Sequence, residues 1–265
     1  MTSKEILDLI RDQILEVYSS QNMTCLSDNQ YNYNGVNIMA VPNSQLTIEN
    51  WNSYKNLRDI VNCNQDLMYF AANLFLYRPY INNPLKEVDT QTMKFPVFHY
   101  HQNIYDHRYC TYVSNCFEKA YNYWDRIGDL LYSFYPSIIP NIRSVDFSRV
   151  IDKIYEIGER DADFIWLHNF KQNEYSILNG YRKDVVHYYQ YETSYHFEHI
   201  SNSTKPDVIT KIWKEKSELP EYFKAQLEIS CEGCLRTYAY LNKVIQFRAQ
   251  NPNSASPLVP VQPHV

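Results

Sequence analysis

Along most of this chain apolar residues recur at three- and four-residue intervals, a period that predicts helices. Thr2-Ser3-Lys4-Glu5 reads as a capping box, followed by Ile6, Ile10, Ile14 and Val17 on one helical face. Residues 22–45 break the period, and Asn34-Gly35 between Tyr33 and Val36-Asn37-Ile38 predicts a small hairpin. A second helix is expected from about Ile48 to Tyr77, on Leu57, Ile60, Val61, Ala71, Leu74 and Phe75, with Pro79 stopping it. Residues 80–101 carry prolines and His99-Tyr100-His101 and read as a connection packed by aromatics.

A third helix uses Phe117, Ala120, Tyr121, Trp124, Ile127, Leu131 and Phe134, and ends before Pro136. A short fourth has Asp146 as its cap, Phe147, Val150, Ile151 and Ile154 as its apolar face, and Gly158 as its stop. The fifth spans roughly Arg160 to Leu178. Asn179-Gly180 is expected to break it, and a sixth runs from there through Arg182, His187 and Tyr191 to about His199. The last long helix carries Phe223, Leu227, Cys231, Cys234, Tyr238, Leu241 and Ile245, and residues 249–265 read as a Pro/Ser/Asn tail. The expected organisation is an N-terminal helical extension (1–100), a helical bundle (103–249) and a flexible tail (250–265).

Composition narrows this to an all-α fold. Five glycines in 265 residues are too few for the turns of a sandwich or barrel. They also leave no Gly-rich phosphate loop or Rossmann fingerprint. The 25 tyrosines predict an interior or cleft that is partly polar, since each buried hydroxyl needs a partner. A net charge of −5 argues against a broad grip on nucleic-acid phosphates, so any such contact must be local. No run approaches 18 apolar residues and no signal-peptide core follows Met1, which excludes a membrane-spanning segment and points to the cytoplasm. The six scattered cysteines suit a reducing compartment.

Chemistry concentrates at Asn179-Gly180-Tyr181-Arg182-Lys183-Asp184-Val185-Val186-His187-Tyr188-Tyr189. An Arg–His spacing is weak by itself; its context carries the reading. Were Asn179 to cap a new helix, Arg182 would lie in the first turn, where free N–H groups and the macrodipole favour an anion. An always-charged guanidinium there would clamp a phosphate, and His187 titrates in the range useful for moving protons. The plainer alternative is a surface arginine and a half-buried histidine. On one straight helix, five steps would place His187 some 140° around from Arg182. A shared phosphate would then need a bend after Asn179-Gly180 or a second copy of the chain.

This segment resembles the Arg-x4–6-His motif that the HEPN superfamily carries on a late helix of its bundle. Arg182 and His187 match it, and Tyr189 extends the match to the Arg-x4-His-x-Tyr form of toxins paired with nucleotidyltransferases. The family often has a small polar residue directly after the arginine; here Lys183 stands there, with Asp184 next. The resemblance covers about 103–249 and implies a homodimer with two motifs facing one groove. It also implies RNA cleavage without metal or organic cofactor, in a toxin or antiviral defence element. A nucleotidyltransferase-type antitoxin that modifies Tyr189 would be a partner. Arg182, His187, Tyr189 and Asp184 are the expected catalytic residues. A non-catalytic module binding RNA, a nucleotide or a partner protein is the alternative.

Other clusters read more simply. Asp125 and Asp129 share a face of the third helix and could orient the motif or form a solvated face. His196 and His199 are one turn apart but lack a zinc-hydrolase carboxylate. Cys231 and Cys234 fall on the apolar stripe with Leu227 and Tyr238. Lysines at 205, 211, 214, 216 and 224 make the most basic stretch, read as a solvated face with some potential for approaching RNA.

Overall fold

A computed structural model describes residues 2–26, 32–33, 36–37, 53–91, 94–185 and 189–251. Among these residues the protein is all-α, as its sequence period predicts. There are eight α-helices: α1 (Ser3–Ser20), α2 (Ser53–Tyr77), α3 (Ile104–Phe134), α4 (Phe147–Glu156), α5 (Ala162–Gln172), α6 (Glu174–Lys183), α7 (Tyr191–Ser201) and α8 (Pro206–Gln250). Two antiparallel ladders accompany them, β1 (Asn32–Tyr33) with β2 (Val36–Asn37) and β3 (Val88–Asp89) with β4 (Val97–Phe98). The expected hairpin is thus present as a ladder pairing Tyr33 with Val36; its turn, Asn34-Gly35, lies outside the described residues, as do 48–52.

The helix ends follow from side chains. Thr2 and Glu5 form the reciprocal capping box of α1, although only Ile14 of that helix is buried. Asn103 starts α3 earlier than the apolar pattern indicated, its Oδ1 accepting the N–H groups of Tyr105 (2.8 Å) and Asp106 (2.9 Å). Asp146 caps α4 through the Arg149 N–H, and Gly158 ends the following turn at φ 96°, a conformation that favours glycine. Pro206 begins α8, a position where a missing N–H costs nothing.

The chain forms two compact units. One comprises Met1–Cys25, Gln65–Lys119 and Gly180–Glu228; the other comprises Leu26–Asn64, Ala120–Asn179 and Ile229–Val265. In the second unit Trp124 is fully buried, with Phe170 at 4.1 Å and Phe147 at 5.1 Å between ring centroids. There α4 approaches α3 so closely that a Cβ at Gly128 would stand 2.7 Å from Phe147 Cα.

In the first unit Tyr109, Phe117, Leu67, Ile209 and Phe223 are buried. Pro220 lies inside α8 and has no N–H to give the carbonyl four residues back. That carbonyl belongs to Lys216, and the Tyr109 hydroxyl donates to it at 2.6 Å. Lys216 is itself fully buried, its Nζ 2.8 Å from Asp106 Oδ1. The reading of lysines 205–224 as one solvated face is therefore corrected at Lys216. Its partner Asp106, 110 positions away in sequence, leaves no local trace.

Candidate active site

The helix carrying Arg182 does not begin where the sequence suggested. Asn173, not Asn179, closes the preceding helix, its N–H reaching the carbonyls of Asn169 and Phe170. Helix α6 then runs through Asn179 and Gly180, held by buried Tyr175 and Leu178. Nothing lies within 4 Å of a Cβ built on Gly180, so the glycine costs the helix only its propensity, about 1 kcal/mol.

Arg182 and Lys183 consequently occupy the last turn of α6, not a first turn. There the amide hydrogens are committed to the helix and the carbonyls make the negative pole of the dipole, which favours the two cations. An anion at this place must be gripped by side chains, and the expected N-terminal anion site is absent. Residues 184–185 follow as a π-helical turn, and the Tyr189 N–H donates to the Asp184 carbonyl at 3.1 Å. Helix α7 starts afresh at Tyr191. Among the described residues no single helix joins Arg182 to Tyr191, so the straight helix expected from Asn179 to His199 is corrected to two helices, α6 and α7. His187 lies outside the described residues, with Val186 and Tyr188.

Arg182 is half-buried and Asp184 exposed, and Tyr189 is 66% exposed. Asp184 and Tyr189 line one cleft of ≈ 350 Å³ with Tyr181, Val185, Tyr191, Ser194, Tyr195, Glu198, Ile212 and Glu215. Tyr181 leans on the buried ring of Phe117, stacked at 5.1 Å and 24°. Val185 also lines a second cleft, of ≈ 320 Å³, with Cys110, Thr111, Ser114, Asn115, Glu118, Gln190 and Glu192. Glu192 there is tied to His107 Nδ1 at 2.9 Å. Burial drives the hydroxyl pKa of Tyr191 and Tyr195 upward, so both remain neutral donors and acceptors. Sequence reasoning did not single out Tyr195, Glu198 and Glu215. The i, i+4, i+7 spacing of Tyr191, Tyr195 and Glu198 was the available signal.

The remaining clusters have structural partners. Asp125 accepts the Phe147 N–H at 3.4 Å, and burial raises its pKa to about 6; Asp129 holds Arg126 at 2.8 Å. Cys234 is buried and its thiol pKa is pushed up to about 12 by burial, while Cys231 is half-buried. His199 is fully buried with Nε2 3.0 Å from the Phe98 carbonyl. Its pKa is lowered, first by burial and then by His196 and Lys216. Among the described residues no three His, Cys, Asp or Glu side chains are grouped to hold a metal ion, and no helix is long and apolar enough to cross a membrane.

The family model for Cthe2314-like HEPN domains matches residues 48–242, nearly three quarters of the chain. The chain belongs to the HEPN superfamily. That superfamily includes ribonucleases and non-catalytic members. In this HEPN domain the match takes in α2 as well as α3 to α7 and most of α8. No curated protein and no solved structure gives a significant match.

Proposed function

We propose that this HEPN protein is a metal-independent endoribonuclease, working as a dimer in a toxin or antiviral defence role. Its carrying observation is that a single short connection, from the last turn of α6 to the start of α7, bears the whole Arg-x4-His-x-Tyr motif. Two of the motif segment's polar residues, Asp184 and Tyr189, line one cleft.

In this reading His187 takes the proton of a ribose 2′-hydroxyl, whose oxygen attacks the adjacent phosphorus. The bond to the 5′-oxygen breaks, and His187 passes the proton it took to that oxygen, giving a 2′,3′-cyclic phosphate and a 5′-hydroxyl. Arg182 balances the charge that builds on the phosphoryl oxygens. Because Arg182 sits at a helix C-terminus, the guanidinium carries this task without help from backbone amides. Tyr189 and Asp184 complete the polar wall, and a second protomer would double the positive charge at the groove.

A second reading, a binding module without catalysis, draws support from the carboxylates of Asp184, Glu198 and Glu215, which repel a phosphate backbone. Incubating the purified protein with total RNA in excess EDTA separates the two. Cleavage with cyclic phosphate ends, lost about 10²–10⁴-fold in His187→Ala and in Arg182→Ala at unchanged melting temperature, supports the nuclease. No cleavage by the wild type, or activity that needs a divalent ion, refutes it.

A further inference from the structure

The cleft beside Tyr189 has a lining that cleavage of a polyanion does not call for. Its described residues include four tyrosines (Tyr181, Tyr189, Tyr191, Tyr195) and three carboxylates (Asp184, Glu198, Glu215), with no lysine or arginine. Glu215 has a loose surface contact with Lys211 at 3.8 Å. Such a lining combines electron-rich aromatic side chains with negative oxygens, the two kinds of group that attract a cation.

A second, independent observation concerns the buried groups at Tyr195. This tyrosine lines the cleft yet is only 5% exposed, and its hydroxyl has no hydrogen-bond partner. The Tyr100 ring lies 5.5 Å from that of Tyr195 and 5.3 Å from that of His199, between centroids. The Tyr100 hydroxyl and His199 Nδ1 are likewise buried without partners. Since Nε2 of His199 faces a carbonyl oxygen, that nitrogen carries the hydrogen, and Nδ1 of the neutral ring is a bare acceptor. Buried polar atoms are ordinarily satisfied, and of these three exceptions the Tyr195 hydroxyl belongs to a side chain that lines the cleft. Tyr195 already packs against one cation, Lys216 Nζ, 4.3 Å from its ring centroid, whose charge is neutralised by Asp106.

We infer that this cleft binds a small organic cation, an alkylammonium or guanidinium, seated among the tyrosine rings and paired with Asp184, Glu198 and Glu215. Its N–H groups would supply the partner that the buried Tyr195 hydroxyl lacks. The volume of ≈ 350 Å³ is at the small end of ligand sites and suits an amine with a short carbon chain. A bound cation would also cancel the carboxylates beside Asp184 and Tyr189, which makes the same cleft less repulsive to a nucleic-acid strand. The inference stands whether or not the motif cleaves RNA. The cation's source is either a free polyamine or a lysine or arginine side chain of another protein.

Isothermal titration calorimetry of the full chain, without RNA, tests it. The probes are agmatine, spermidine and a short Arg/Lys peptide amide, with MgCl2 at matched ionic strength and guanosine monophosphate as comparisons. Saturable one-to-one binding is expected for at least one of the three cations, with the tightest probe revealing whether the source is a free amine or a peptide. Glu198→Gln and Glu215→Gln, both exposed on their helices, should each weaken binding about threefold to tenfold without moving the melting temperature. Absence of saturable binding would overturn the inference. So would affinity unchanged in both variants, competition by Mg²⁺ at equal ionic strength, or tighter binding of guanosine monophosphate, which would make the cleft a nucleobase pocket.

Discussion

Replacing Lys216 by methionine would remove a charge from a place where water cannot substitute for it. Neither side chain of the Lys216–Asp106 pair is exposed, and Nζ lies 2.8 Å from Oδ1. The other oxygen of Asp106 accepts the backbone N–H groups of Asn82 (3.0 Å) and Asn103 (3.3 Å). Breaking a buried pair by deleting one partner costs about 3–5 kcal/mol, because the remaining charge is stranded. In Lys216→Met the two N–H donors still steady the carboxylate, which places the cost near the lower end, about 3 kcal/mol. In Asp106→Asn the ammonium keeps the ring of Tyr195 and an amide oxygen, for a similar loss of about 3 kcal/mol. The double variant carries neither charge, so its loss should also be about 3 kcal/mol rather than the sum of the two. The interaction energy is then about 3 kcal/mol. Urea unfolding followed by circular dichroism on all four proteins, at one pH, measures the cycle. Additivity within about 0.5 kcal/mol, or a Lys216→Met loss below about 1 kcal/mol, would refute the reasoning.

Two helix-interior glycines should respond to alanine with opposite signs. Gly128→Ala drives a Cβ to 2.7 Å from Phe147 Cα and 2.8 Å from its N, backbone atoms that cannot rotate away, for a loss of about 2–4 kcal/mol; Gly180→Ala meets nothing and should gain about 0.5–1 kcal/mol. Thermal melts of both variants check this, and the reverse order would show that helix propensity rather than packing governs these sites. Glu159 is fully buried, and burial, then Asp161, raises its pKa from 4.5 to about 7. The folded form keeps its proton where the unfolded chain has lost it. Its stability contribution is therefore complete below about pH 4.5 and falls as pH rises through about 7, by about 3 kcal/mol in all. Unfolding free energies at pH 5 and 8 should differ less in Glu159→Gln than in the wild type; equal differences would refute the assignment.

Much of the fold was legible because helices declare themselves locally. The capping box at Thr2, the Asp146 cap and the Gly158 stop each depend on residues within one or two turns, and each appears where the pattern placed it. The misplaced break at Asn179-Gly180 shows the limit of local signals. The pair is a strong turn signal in a hairpin, but buried Tyr175 and Leu178 outweigh one glycine's propensity, and the break passes to Asn173. The long starts of α3 and α8 were hidden because polar residues there, such as Asp106 and Lys216, are buried by pairing with each other across 110 positions. The family was legible from Arg182, His187 and Tyr189, and the family match bears it out. The cleft as a whole was not, because besides the regularly spaced Tyr191, Tyr195 and Glu198 of α7 it draws Tyr181 from α6 and Glu215 from α8, which no sequence spacing links to them.

The interleaving of the two compact units has a consequence for how the protein is made. Each unit draws on three separate stretches of chain, and the first is incomplete until Glu228 has been synthesised, the second until the residues after it. At about 5–20 residues per second, translation takes roughly 10–45 s to reach that point. Throughout that interval the aromatic faces of α2 and α3, with Phe75, Phe117 and Trp124, have no finished core to enter. Neither unit can be cut out as a continuous fragment, and a ribosome stalled before α8 carries two half-built cores rather than one folded domain. Each core therefore stays incomplete in the nascent chain until its own part of α8 has been made.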